Sequence, residues 1–395
     1  MPKNRPSQNK RNAKKYGKLH AERAKKEHEA AKKVVDDESL DFPTKIDHLA
    51  KVRRWFTADT TIIDKYMSDE LSTAETVDIL AKPVDEAYSS ADFGRQWHKQ
   101  EMVARGQRKF HSPEKALEMW GAEEDWPEPE TEWDASQSTE MLLWDLWYSI
   151  LHVAKRIPYT DEARHEKLVE LVRAFKARPN PPPPAPMTIP LKREWIWESG
   201  KLWTDLTVLG ISVAEVSNDS PGCGAGWLWP ELRAWENVNA FMARLTASHL
   251  MTFQSLGLWA LRDATENSPS PGYRRAHPPS DVDVLSHRVI LASLWVTIAG
   301  DRVFAEYYPK IRDKRDIEVV DRILDLTDDK LPWTRSRKKY KGRARWETAR
   351  REFVRRRFEV ESHNESLPLE AREMASKAAK AMIPFVQFGE NYHDR

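Results

Sequence analysis

The chain has one cysteine, Cys223, so it cannot form an intramolecular disulfide, and a disulfide-stapled secreted scaffold is excluded. It lacks any run of about 18 apolar residues, so no transmembrane helix is expected. It also lacks a dominant charge. Lys and Arg number 63 against 62 Asp and Glu, which leaves +1 and rules out a whole-molecule electrostatic grip on nucleic acid or anionic lipid. Any such grip must come from a local patch. Asn-Gly and Asp-Gly pairs are missing, and alternating apolar and polar runs are rare, so β-hairpins are not expected. The basic N-terminus has no apolar stretch behind it, unlike a signal peptide. With Glu22, Glu27 and Glu29 among its lysines it is also unlike a mitochondrial presequence. Nucleus or cytoplasm is the expected location.

What the chain does have is helical periodicity. Ile46, Leu49, Val52, Trp55 and Phe56 mark one helical face. Ser72 and Thr73, with Glu75 in the first turn, open a second helix that Pro83 is expected to interrupt. A third is expected over 91–105, and Ser112-Pro113-Glu114 reads as a capped helix start. Residues 136–156 are apolar around most of their circumference, which predicts a central helix. Thr160 or Asp161 caps the next. One long helix is expected over 231–262. Another is expected from a cap at Asp281 or Asp283 through Ile298, and a short one around 319–326. Residues 333–359 predict a basic helix.

The expected fold is all-α, a multi-helix array in two packed layers with charged, flexible N- and C-terminal extensions. Residues 1–40 read as a basic tail, disordered or a frayed helix, with no apolar stripe to dock it. Residues 41–178 form the first layer, the proline-rich 179–190 stretch a linker, and 191–330 the second layer. The basic helix is assigned to 331–360, and 361–395 reads as a loosely docked tail. Between Glu123 and Asp134, acidic residues broken by Pro127 and Pro129 predict a non-helical acidic loop.

Two stretches carry a resemblance. Leu143 to Pro184 opens Leu-Trp-Asp-Leu-Trp-Tyr and closes in prolines. Leu202 to Thr246 contains Leu202-Trp203-Thr204-Asp205-Leu206, Asn218-Asp219-Ser220-Pro221-Gly222, and Trp235 through Asn239-Ala240-Phe241. Together they resemble an uncharacterised family of fungal helical proteins, a domain of unknown function, over about residues 45–330. The resemblance implies an all-helical body and no activity, and it leaves the basic tail and the 333–359 helix outside.

Catalytic and cofactor motifs are incomplete wherever they begin. Gly222, Gly224 and Gly226 are spaced like a phosphate cradle, but no Lys-Ser pair follows. His165-Glu166 starts a zincin motif that Val169 ends. No metal, cofactor or catalytic set is therefore assigned. Trp195, Trp197, Cys223, Trp227 and Trp229 flank loops and are the candidate cleft. Most of the other tryptophans, Trp144, Trp147, Trp259 and Trp295 among them, are expected in the core. The strongest polar signal is the run Arg335, Arg337, Lys338, Lys339, Lys341, Arg343 and Arg345, followed by Arg350, Arg351, Arg355, Arg356 and Arg357. Tyr340, Trp346, Phe353 and Phe358 interleave with them. If the aromatics dock, the arginines face outward, either as a solvated face or a partner for the acidic 123–134 loop, or as a nuclear-import signal or an anion- or partner-binding surface.

The leading expectation is a non-enzymatic helical scaffold that binds a protein partner. Phosphate contact with RNA or DNA through residues 1–33 and 335–357 is one rival. An enzyme with a site near loop 217–229 is the other. No membrane association is expected.

Overall fold

The computed structural model describes residues 8–90, 111–120, 138–182, 201–267, 279–305 and 348–387. The expected helices at 91–105 and 319–326, the acidic loop, and the stretch 306–347 lie outside the described residues. The fold is all-α. Thirteen α-helices are described: α1 (Gln8–Asp36), α2 (Phe42–Arg53), α3 (Thr61–Met67), α4 (Thr73–Ser89), α5 (Pro113–Trp120), α6 (Thr139–Arg156), α7 (Glu162–Ala177), α8 (Leu209–Val216), α9 (Trp229–Ala247), α10 (Gln254–Thr265), α11 (Asp281–Ala305), α12 (Thr348–Ser362) and α13 (Leu369–Gln387). One isolated bridge, Pro221 to Ala225, is the sole extended pairing among the described residues.

The chain divides into two compact units that do not follow its order. The first comprises residues 1–55, 155–160 and 219–395, the second 56–154 and 161–218. Residues before and after the 179–190 prolines therefore share the second unit.

In the second unit, local signals set the helix ends. Ser72 and Glu75 exchange side-chain-to-backbone bonds that cap α4. Asp161 accepts from Arg164 N at 3.1 Å, which resolves the choice of cap for α7. Pro83 does not end α4, which runs six residues past it to Ser89. The buried face, Val77, Ala81, Val84 and Tyr88, continues across it, and Pro83 itself lies on the exposed side with Ile79, whose carbonyl loses its donor where water can reach. Restoring that donor with Pro83→Ala is expected to raise the urea midpoint, a gain of about 1–3 kcal/mol.

The centre of this unit is aromatic. Trp147, Phe175 and Trp203 are fully buried. Trp147 meets Phe175 edge-on at 5.8 Å, and Phe175 stacks on Trp203 at 5.4 Å. Both indole N–H groups find acceptors, Trp147 at the Thr207 carbonyl (2.7 Å) and Trp203 at Asp85 (2.8 Å). Arg178 then pairs Asp85 and Asp78, and Asn180 accepts from Trp203 N at 2.9 Å. The expected core role of this tryptophan set holds.

In the first unit, several sequence expectations change. The end of α1 is docked: Ala31 is fully buried, and Val34 and Val35 pack against Ile46, Leu49 and Trp55. The packed body thus begins near Ala31 rather than Asp41, because one small residue and two valines suffice where α2 supplies the apolar partners. The expected helix over 231–262 is two helices. After Ala247 the chain takes a left-handed turn at His249 (φ 59°). Thr246 Oγ1 then accepts from Phe253 N at 3.1 Å and re-aims the chain into α10.

The α11 start is capped by Ser280, not by either aspartate alone. Its hydroxyl accepts from Asp283 N at 3.1 Å, and the Asp283 carboxylate returns the bond to Ser280 N. By length and composition α11 is apolar enough to cross a membrane, contrary to the expectation that no segment is. Yet about two thirds of its most apolar stretch is buried, the pattern of a core helix. It packs against α9, α10 and α13. Gly257 lets α10 close on Trp295, where a Cβ would stand 2.9 Å from the indole.

The C-terminal segment is not loosely docked. Ala371, Met374, Ala375, Ala378, Ala379 and Met382 bury one face of α13 against α11 and α12, a stripe of small side chains that hydropathy alone underrates.

Candidate functional site

In the first unit, buried polar chemistry gathers around α9. Pro230 sits in its first turn, and Ala234, Val238, Phe241 and Leu245 supply its apolar contacts. Yet Glu231, Glu236, Asn237 and Asn239 are buried beside them. Burying such groups costs several kcal/mol unless each is answered. Each one is.

Glu231 is fully buried and closes the glycine loop. Its Oε1 accepts from Gly226 N at 3.0 Å and its Oε2 from Leu228 N at 3.0 Å. Arg53, brought in by the last turn of α2, donates Nε to Oε1 at 2.6 Å. Of the amides along Gly222-x-Gly224-x-Gly226, that of Gly226 is thus engaged by a carboxylate of the chain itself, while that of Gly222 donates to the Ala225 carbonyl. Gly226 allows this approach, since a Cβ there would lie 2.4 Å from Arg53 Nη2 and 2.5 Å from Glu231 Oε2. Arg53 Nη2 and the indole nitrogens of Trp55 and Trp227 are buried without an acceptor among the described residues.

Lys155 and Asp219 form a second buried pair, 2.5 Å apart with side chains 2% and 4% exposed. The ammonium also lies 4.9 Å from the centre of the Trp55 ring. Desolvation by burial lowers the Lys155 pKa, against the raising effect of Asp219. Asn237 fixes the adjoining segment, accepting from Tyr159 N at 2.8 Å and donating to the Lys155 carbonyl at 2.9 Å.

A third group runs outward. His287 Nδ1 meets Glu236 Oε1 at 2.8 Å, and Arg233 donates to Glu236 Oε2 at 2.8 Å. Arg233 also pairs with Glu370, which accepts from the Tyr159 hydroxyl as well. Burial raises the Tyr159 pKa, reinforced by Glu370. At Glu370, burial raises the pKa but the hydrogen bonds from Arg233 and Tyr159 outweigh it, so the carboxyl sits below the ordinary value. Among the described residues no group of His, Cys, Asp and Glu could hold a metal ion.

The candidate cleft is only partly assembled. Trp195 and Trp197 lie outside the described residues. Cys223 is exposed and free. Trp227 faces His287 edge-on at 6.0 Å, whereas Trp229 stacks on Phe42 at 5.7 Å and is 53% exposed. The two indoles thus have different neighbours. Trp259, expected in the core, is 58% exposed, because it occupies the outer side of α10 while Gly257, Ala260 and Leu261 face inward.

The basic run also differs from expectation. Arg335, Arg337, Lys338, Lys339, Lys341, Arg343 and Arg345, and the side chain of Arg350, lie outside the described residues. Within α12, Phe353 and Phe358 dock as expected, but Arg351, Arg356 and Arg357 are buried with them. Arg357 pairs with Glu361 at 3.1 Å, and Arg355 with Glu352 and Glu359. These four arginines do not form an outward surface; acidic residues three and four positions away engage two of them.

The class defined here is an all-α protein in which the buried carboxylates around α9 are paired with basic groups of the same chain. A family model described as "protein of unknown function (DUF3632)" matches residues 147–353, just over half of the chain. The chain belongs to that family. No curated protein and no solved structure matches it. The match starts later than the expected residue 45 and runs past 330, into the first turns of α12. It takes in Lys155, Tyr159, Asp219, Glu231, Arg233, Glu236 and His287 but neither Arg53 nor Glu370. The α9 cluster was missed in sequence reasoning. Its one legible trace was the density of Glu and Asn on an otherwise apolar helix.

Proposed function

We propose that this protein is a helical scaffold that holds another protein rather than turning over a small molecule. One observation carries the reading: the buried ionic groups around α9 answer each other, while two large indoles, Trp229 and Trp259, stand more than half exposed. Internally paired charges stiffen a body, and exposed tryptophans are favoured anchors for a partner. The burial of Arg351, Arg356 and Arg357 favours this reading over a nucleic-acid grip by the whole 335–357 run.

The test is reciprocal affinity purification of the full chain and of its Trp229→Ala and Trp259→Ala variants. A partner recovered from either end, with affinity weakened about thirtyfold by one of the substitutions, is expected. Recovery no greater than that with an unrelated helical bait contradicts the proposal. The same preparations, titrated with RNA and DNA across salt, check the phosphate-binding rival, whose affinity must fall steeply with salt.

A further inference from the structure

Glu370 stands at the open end of a graded series of polar groups. Glu236 and His287 are nearly closed to solvent, with side chains 3% and 5% exposed. Arg233 is 30% exposed and Glu370 40%. The innermost pair orients Arg233 from behind, through Glu236 Oε2, and the guanidinium lies 5.6 Å from the centre of the Tyr159 ring. Tyr159 is in turn held through its own backbone N–H by Asn237. Both donors are therefore fixed by contacts that do not involve Glu370.

The donors engage both oxygens of Glu370: the Tyr159 hydroxyl donates to Oε1 and Arg233 Nη2 to Oε2. A planar, two-oxygen acceptor fits that pair, and a spherical ion does not span it. Glu370 arrives in the first turn of α13, next to Leu369, which is 62% exposed, with buried Leu367 before it and buried Ala371 after it. Arg233 and Tyr159 lie inside the family match, and their occupant lies outside it.

We propose that Arg233 and Tyr159 form a carboxylate receptor, filled in cis by Glu370, which accepts an acidic side chain of a partner protein when the first turn of α13 lifts. Glu370 then acts as a latch, and the partner's acidic residue competes with it. The receptor does not depend on the scaffold reading, because a free carboxylate detects it.

The test uses the full chain carrying Glu370→Ala, with thermal unfolding followed while formate replaces chloride at constant ionic strength. A saturable rise in Tm of about 2–4 °C is expected, absent in the wild type and in Glu370→Ala with Arg233→Met. Formate that leaves Glu370→Ala unmoved, or moves all three proteins equally, overturns the proposal and leaves an ordinary structural pair. If Glu370→Ala does not fold, Glu370→Gln carries the test, because a neutral amide is the weaker occupant. A peptide of residues 366–373 is then expected to bind this variant about tenfold more tightly than the wild type. The same peptide with Gln at position 370 should bind neither. Equal binding of the acidic peptide to variant and wild type overturns the latch.

Discussion

Asp219→Ala is expected to cost about 3–5 kcal/mol, read as a fall in the urea midpoint. The size follows from what is left behind. Lys155 is 2% exposed, its ammonium is 2.5 Å from the Asp219 carboxylate, and burial already disfavours its charged form. Without the aspartate, the lysine must remain charged without its counter-ion or release its proton, and either is costly. Replacing both partners, as Lys155→Met with Asp219→Leu, removes the desolvation problem along with the attraction. The double variant is expected to regain most of the loss. A single substitution as mild as the double one would show that water reaches Lys155.

Glu231→Ala is the second large effect, at about 4 kcal/mol or more. It strips Arg53 of its buried counter-charge and leaves the Gly226 and Leu228 amides without acceptors at the start of α9. Glu231→Gln keeps a side-chain oxygen for one of those amides and should fall between alanine and the wild type. Gly226→Ala tests the same lock from the other side: its methyl group displaces either Arg53 or Glu231, so it should weaken the protein even though the backbone is unchanged. Urea denaturation orders the three. A Glu231→Ala protein within about 1 kcal/mol of the wild type would mean that the carboxylate is not the closure of the loop.

How much of this was legible depends on the range of the interaction. Caps are local, so Ser72 with Glu75, Asp161 and Ser112 before Pro113 could be read directly. Tryptophans on continuous apolar faces, such as Trp147 and Trp295, were also readable as core. The break after α9 was not, because apolar spacing continues across it and the left-handed residue that closes the turn is His249, not a glycine. The arginines of α12 misled because the acidic 123–134 loop, and not the same helix, was the expected source of an internal partner. Glu352, Glu359 and Glu361, three or four positions away, were the available warning. The α9 locks lay furthest from view. Arg53 finds Glu231 across 178 residues of chain, and Lys155 finds Asp219 across 64. No periodicity encodes such pairs.

If paired polar groups make α9 the keystone of its unit, native-state hydrogen exchange tests that most directly. The Tyr159 amide, whose acceptor among the described residues is the Asn237 side chain, and the amides through the middle of α9 should exchange only with global unfolding. Glu231→Ala should lower the opening energy of both together. Rapid exchange at Tyr159, or α9 amides that open well below the global free energy while the α11 core stays closed, would contradict the account.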